Sequence, residues 1–476
     1  MNQIQTIFKN MSWLLISQIL ASIFAFIWTI LLARYLGVND YGILGFAISI
    51  TTILGVLDDL GISTHIVRHI ATDYESAPKY LGNALPLKVI FSTFKIILTI
   101  ITLVIMGKNE FTITITLLFT LEMIFKSYIY TLNGAFQAFE EGKFQGIGNI
   151  LINTNTLLFI LISIYTNLGL IGVAFSYILA NIIALVYEYY VLNKYIVKPK
   201  YELDLEFCKK ITLLSLPFAV TSILYTIYYS IDVVMLSAMV GDYATGIYNA
   251  TYKLISVLTL FYGVYGAVIF PVMSKLYKND KSMLLVSFEK SIKYLMMIII
   301  PLATATVFYS SDIIQLIYGN QYNAAASVLS ILIWTVCLLF ISGAANTLLN
   351  ASHKELSVTK IYAAAAVFNI ALNFFMIPHF SYNGAAITTV ASDVLIVCLQ
   401  CYIIYKLGHR PNKKLYLDLC KIIIGSGILG IALYFLNLNM WVALPVGIII
   451  YFVAIYLLRF FDDDDKYVVK EILGRN

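Results

Sequence analysis

A chain of 476 residues that is 60% hydrophobic and only 12% charged carries more apolar surface than a soluble fold could hide from water. Its net charge of +5 gives no signal for nucleic acid. Apolar runs of about twenty residues recur from end to end, each long enough to cross a hydrocarbon layer of about 30 Å as a helix, and the short alternating segments of an outer-membrane barrel are missing. The expected fold class is an all-α polytopic membrane protein.

The first run, Met11 to Ala33, is too long for the apolar stretch of a signal peptide and has no small-residue cleavage pattern before Arg34. It is therefore expected to persist as the first membrane helix. It ends in LLARYLGVNDYG, Leu31 to Gly42, where Gly37 and Gly42 tolerate the backbone angles of a tight return. Arg34 complements the negative end of the finished helix and reads as an anchor of this hairpin. The second span, about residues 41–63, carries Asp58 and Asp59 near its end, with His65, Arg68 and His69 just beyond. The i, i+4 spacing of His65 and His69 suits a metal, but without further converging ligands the pair reads as part of an interfacial polar cluster.

Spans 3 to 6 are expected at about residues 84–106, 111–136, 144–165 and 168–192. Charges fall inside them at Lys95, at Glu122 and Lys126, which stand four apart on one helical face, and at Glu188. A charged segment, NKYIVKPKYELDLEFCKK (Asn193 to Lys210), then reads as a cytoplasmic crossover. Spans 7 and 8, about 211–238 and 246–270, hold Asp232 and Lys253 at similar depth from the turn between them. The same two spans carry the Tyr-rich runs LYTIYYS (Leu224 to Ser230) and LFYGVYG (Leu260 to Gly266). Spans 9 to 12, about 290–309, 324–349, 358–377 and 382–405, include Asp393. Cys398 and Cys401 form a C-x-x-C on one helix with no second pair, which fits small-residue packing better than metal or redox chemistry. Spans 13 and 14, about 415–436 and 440–460, precede the tail FDDDDKYVVKEILGRN, whose acid run reads as a solvated cap.

An even span count puts both termini on one side, and positive loops belong in the cytoplasm. With the N-terminus inside, all but five of the 31 Lys and Arg fall in cytoplasmic segments or at their membrane edges. The exceptions are Arg34 and Lys108 outside, and Lys95, Lys126 and Lys253 within spans. A miscounted helix would invert every later loop and destroy this asymmetry, so fourteen spans in the cytoplasmic membrane with both ends cytoplasmic is the expected topology.

An internal repeat organises these spans. Gly37-x4-Gly42 matches Gly241-x4-Gly246 in MLSAMVGDYATGIYNATYKL, an offset of 204 residues. TNLGLIGVAFSYILAN (Thr166 to Asn181) is similar to PHFSYNGAAITTVASD (Pro378 to Asp393), and AFEEGK and ASHKEL form corresponding polar turns. The order predicts two six-helix lobes of the same orientation, residues 1–193 and 211–406, joined by a crossover at 194–210. Spans 13 and 14 with the tail, 407–476, are an appended pair.

LLARYLG…YG, DDLGI (Asp58 to Ile62) with Arg68, IDVVMLSAMVGDYATGIYNATYKL, LIYGNQY and YNGAAI resemble, in order and spacing, the polysaccharide-transport branch of the multidrug/oligosaccharidyl-lipid/polysaccharide exporter superfamily. The resemblance covers essentially the whole chain. It implies a flippase that carries a polyprenyl-phosphate-linked oligosaccharide across the membrane by alternating access between two lobes. It also implies membrane lipids as surroundings and glycosyltransferases or a polymerase of the same route as partners. No cofactor or metal is expected, and Na⁺, H⁺ or no ion is left open as the driver.

A charge in mid-span costs about 2.5–3.5 kcal/mol on insertion scales, so such residues face a cavity or a partner. Lys95 and Lys126 are read as presenting positive charge to a pyrophosphate or acidic sugar, against a self-satisfied Glu122–Lys126 pair. Asp232 and Lys253 are read as a salt bridge, static or gating, in or beside the substrate route. Asp58, Asp59, Arg68 and Asp393 are read as candidate gating or coupling positions. Arg34 has phosphate contact as its second reading. The rival functions are cation-coupled drug export by the same architecture and a membrane glycosyltransferase or polymerase. The latter lacks the large carboxylate-bearing loop it would need, and no Walker motif is present for ATP hydrolysis.

Overall fold

The computed structural model describes residues 3–436 and 438–461; the acidic tail lies outside these, as do the side chains of Phe261 and Tyr262 in the aromatic run. The first seven helices are α1 (Gln3–Asp59), α2 (Ile62–Ile70), α3 (Ala77–Ile105), α4 (Glu110–Ala138), α5 (Gly142–Tyr165), α6 (Gly169–Val191) and α7 (Leu205–Met239). The second seven are α8 (Asp242–Asn279), α9 (Lys281–Phe308), α10 (Ser310–Tyr318), α11 (Ala325–Ala351), α12 (Glu355–Lys406), α13 (Lys413–Leu436) and α14 (Met440–Leu457). No strand occurs among the described residues. Eleven helices there are long and apolar enough to span a membrane. Two of the eleven are double-length: α1 breaks at Gly37 (φ 72°) and α12 at Ser381 (φ 50°). The count of fourteen crossings is not established by these helices alone.

Helix starts follow ordinary capping chemistry. The side chain of Asn109 accepts a hydrogen bond from Thr112 N (2.8 Å) at α4, and Asp204 accepts one from Phe207 N (3.1 Å) at α7. The crossover is extended at residues 197–204 and lies against α3, with Lys200 N donating to Pro78 O (2.9 Å) and Asp204 N to Asn83 Oδ1 (2.9 Å). Gly82 permits this approach, since a Cβ there would sit 1.8 Å from Lys200 O.

Helix faces are the reverse of those in a soluble protein. From residue 88 onward the buried positions of α3 are Lys88, Ser92, Lys95, Thr99 and Leu103, at helical spacing, while Val89, Ile90, Phe94, Ile97 and Ile101 are exposed. On α4 the buried side includes Thr112, Thr116, Thr120, Glu122, Ser127 and Thr131. An apolar exterior around a polar stripe is the pattern that a lipid surrounding imposes, because outward groups meet hydrocarbon and polar groups need partners inside.

The chain forms two compact units, Met1–Asn249 and Ala250–Asn476. In the first, α1 packs on α4, α5 and α7, and α6 on α4 and α5. There the two copies of the recurring glycine motif meet. A Cβ on Gly42 would lie 1.9 Å from Asp242 O, and one on Gly246 would lie 2.0 Å from Val38 O. Residues 38 and 242 are themselves equivalent at the 204-residue offset, so each motif seats its glycine on the same position of the other, as in a twofold contact. Gly37 and Gly241 both take positive φ (72° and 117°), whereas Gly42 lies in regular helix and is there for close approach.

In the second unit, α9 packs on α11 and α13, α11 on α12, and α13 on α14. Lys293 Nζ pairs with Asp418 Oδ2 at 3.1 Å, both side chains buried, tying α9 to α13. Tyr451 donates to Met297 O (2.8 Å), tying α14 to α9. An apolar cavity of about 290 Å³ lies among these three helices, lined by residues such as Pro301, Leu429 and Phe452.

Candidate functional site

The polar stripes of α3 and α4 converge in the first unit on the carboxylates that end α1. Lys88 and Lys95 stand seven apart and share one face of α3. Lys95 Nζ pairs with Asp58 Oδ2 and also donates to Thr120 O at 3.3 Å. Lys88 Nζ contacts Asp59 Oδ1 at 2.8 Å, Ser127 Oγ at 2.7 Å and Asp58 O at 3.3 Å. Asp59 accepts from the hydroxyl and the backbone N–H of Ser63, and Ser63 Oγ lies 3.3 Å from Thr131 Oγ1. Both lysines are fully buried, and an ammonium taken out of water unpaired would cost several kcal/mol. The two pairs neutralise each other's charge, yet Asp58 Oδ1 is buried with no hydrogen-bond partner. The network therefore retains an unfilled acceptor.

A second polar group lies farther along α4. Glu122 is buried and accepts from Asn181 Nδ2 on α6 at 2.9 Å. Lys126, four residues on, makes no ion pair with it among the described residues, although Glu122, Tyr130 and Tyr177 all bear on it electrostatically. Lys126 is thus a half-buried intramembrane cation whose charge is not closed off by a direct carboxylate contact. Glu188 on α6 is fully buried with both oxygens unpartnered, its carboxyl fitting against Gly148, where a Cβ would lie 2.1 Å from Oε1.

The other positions singled out in the sequence lie outside these two groups. Asp232 on α7 is buried and accepts from Tyr248 Oη at 2.8 Å. Lys253 is half-buried in the second unit, as is Asp393 on α12. Arg34 is exposed just before the Gly37 break. At that end of α1's second arm, Lys108 Nζ donates to Ser237 O (2.6 Å) and Ser237 Oγ (2.7 Å), and Ser237 Oγ lies 3.2 Å from Asp242 Oδ1. Burial pulls the Lys108 ammonium below its ordinary range, with Asp242 opposing.

At the opposite end of that arm, the turn through Leu60 (φ 43°) and Gly61 (φ 78°) carries the chain into α2. Arg68, His65 and His69 on α2, with Thr72, face Leu214, Pro217 and Phe218 of α7 across a cavity of about 510 Å³. Among the described residues no group of three or more His, Cys, Asp or Glu is placed to hold a metal ion.

Sequence reasoning passed over Lys88, Ser127, Asn181 and Ser63. Lys88 sat at the expected membrane edge and was counted with the cytoplasmic cations, although its seven-residue spacing from Lys95 was a usable signal. The other three are short polar residues in apolar runs, and nothing local distinguishes them from hydroxyls and amides that bond their own helix.

Comparison with known proteins gives these helices a context. The family described as polysaccharide biosynthesis protein matches residues 7–277, and the family described as MatE matches residues 217–375. The capsular polysaccharide biosynthesis protein CapF of Staphylococcus aureus is 24% identical over 84% of this chain and 99% of its own length. A putative O-antigen transporter of Shigella flexneri is 24% identical over 80% of this chain and 94% of its own. The probable low-salt glycan biosynthesis flippase Agl15 of Haloferax volcanii is 24% identical over a shorter stretch, 39% of this chain and 40% of its own. Among solved structures, the inward closed conformation of the lipid II flippase MurJ superposes with a TM-score of 0.79 at 15% identity, covering 97% of this chain and 99% of that one. An inward-facing multidrug resistance transporter of the MATE family superposes with a TM-score of 0.68 at 15% identity, covering 82% and 95%. At these identities the structural likeness establishes the fold alone, an all-helical polytopic architecture.

Proposed function

Since this chain belongs to the polysaccharide biosynthesis protein family, we propose that it is a flippase for a polyprenyl-(pyro)phosphate-linked oligosaccharide, moving it from the cytoplasmic to the outer leaflet. The observation that carries the reading is the inverted packing of α3 and α4, with Lys88, Lys95, Glu122 and a row of hydroxyls turned inward beneath an apolar exterior. A glycan headgroup cannot cross hydrocarbon bare. It needs a hydrogen-bonding route, and a phosphate needs a cation near that route. Lys126 is the residue best suited to the second task because no carboxylate is bonded to it.

The transport cycle is alternating access between lobes 1–193 and 211–406, with helices 13 and 14 appended. The meeting of Gly42 and Gly246 closes one side, and the Asp58–Lys95 and Asp59–Lys88 pairs rearrange as that side opens. In this reading the protein sits in the cytoplasmic membrane with both termini inside, which the distribution of Lys and Arg supports. It performs no covalent chemistry, and the glycosyltransferases or polymerase of the same route supply and consume its substrate.

The MatE match at residues 217–375 keeps cation-coupled drug export as the second reading. Cells lacking the protein distinguish the two. They are expected to accumulate a polyprenyl-linked glycan that externally added glycosidase cannot reach, with unchanged sensitivity to cationic drugs. Normal glycolipid sidedness together with drug hypersensitivity would overturn the proposal.

A further inference from the structure

The cavity between α2 and α7 is separate from the buried ion pairs and has its own chemistry. Its polar wall is one face of a short amphipathic helix, with His65, Arg68 and His69 at i, i+3 and i+4, extended by the hydroxyl-bearing Thr72. Its other wall is apolar: Leu214, Pro217 and Phe218 of α7. The spacing between walls is fixed by Gly61, where a Cβ would meet Ser215 O at 2.7 Å and Phe218 Cβ at 2.8 Å.

Two features of the polar wall call for a ligand. Arg68 is exposed to the cavity and has no carboxylate partner among the described residues. His65 is only 5% exposed, and its Nε2 is buried with no hydrogen-bond partner. Neither ring is adrift: the His65 and His69 centroids are 4.8 Å apart, and His69 stacks on Tyr80 at 5.1 Å. Burial, together with the neighbouring His69 and Arg68, holds the His65 imidazole below its ordinary range, so at neutral pH it offers a hydrogen bond and Arg68 offers the charge.

We propose that this cavity is a docking site for the phosphate of a prenyl-borne (pyro)phosphate, with Arg68 and His69 gripping the anion, His65 Nε2 hydrogen-bonded to it, and the first carbons of the chain lying on Leu214, Pro217 and Phe218. A guanidinium with a rigid fork of donors suits phosphate oxygens, and an apolar wall opposite it suits a lipid-borne anion over a free one. The assignment of a prenyl carrier rests on the flippase reading; the anion site itself does not.

The test is equilibrium binding of farnesyl pyrophosphate to the full chain in phosphatidylcholine nanodiscs, with flipping activity measured separately. The wild type is expected to bind it. Arg68→Gln, at an exposed position, should weaken binding by about tenfold or more, as loss of a charge-assisted hydrogen bond does, and His69→Gln, which also gives up the ring's stack on Tyr80, should weaken it too. His65→Gln should weaken it as well. Unchanged affinity in Arg68→Gln and His69→Gln would overturn the site. Displacement of the probe by an equal concentration of inorganic pyrophosphate would make it a soluble-anion site and overturn the lipid assignment. Displacement by phosphatidylglycerol would make it a site for bilayer lipid and overturn the assignment equally. Binding that follows the expected pattern in vesicles that fail to flip glycolipid would leave this site standing and remove the flippase reading alone.

Discussion

Asp58 and Lys95 have essentially no exposed side-chain surface, so each is tolerable in the bilayer only because the other is present. Asp58→Asn or Lys95→Met alone should therefore destabilise the folded protein by about 3–5 kcal/mol, the usual cost of stranding a buried charge. The double variant should recover most of that loss. Thermal unfolding in detergent, compared across the four proteins, checks this; additive losses in the double variant would show that the two charges do not depend on each other. The sequence showed Lys95 as a charge inside a span and Asp58 near the end of another, but paired neither with its partner. Asp58 was read as a gating group and Lys95 as a cation facing substrate, since a contact across 37 residues and two helices has no local signature. Glu122 and Lys126 show the converse. Their four-residue spacing promised a pair, but the Glu122 carboxylate is held by Asn181 from another helix.

Among the elements, the crossing of α1's second arm and the start of α8 depends on two missing methyl groups. Any Cβ at position 42 or 246 would fall within about 2 Å of a backbone oxygen, so the helices would have to separate. Gly42→Val and Gly246→Val are each expected to hold this side open: a cysteine placed at Phe46, which is fully buried on the same arm, should become reactive to a membrane-impermeant thiol reagent, and transport should fall at least about tenfold. Protection of that cysteine equal to the parent's would remove the crossing from the gating account. The motif was legible as a repeat because glycines recur in it at a fixed offset. Its self-association was not, because a sequence periodicity says which segments are alike and not which of them touch. The turn at Gly37 was read directly, and its backbone angles explain why glycine stands there.

At the scale of the whole molecule, composition pointed to a lipid surrounding and to the helix class, and the charge asymmetry of the loops gives an expected topology that the helices themselves do not test. The buried polar stripe was harder to see, because hydroxyls such as Thr116, Thr120 and Ser127 fall on one side only once α4 is wound and turned inward. The account rests on that stripe serving a lipid-linked glycan. Its most direct test is a reconstitution in which a fluorescent polyprenyl-linked oligosaccharide is incorporated into vesicles and its leaflet followed by quenching from outside. The wild-type protein should make the inner-leaflet probe accessible, and Lys126→Ala should slow this by about tenfold or more at equal protein abundance. A probe whose sidedness is unchanged by the wild-type protein, in vesicles that nevertheless transport a small cationic dye, would contradict it.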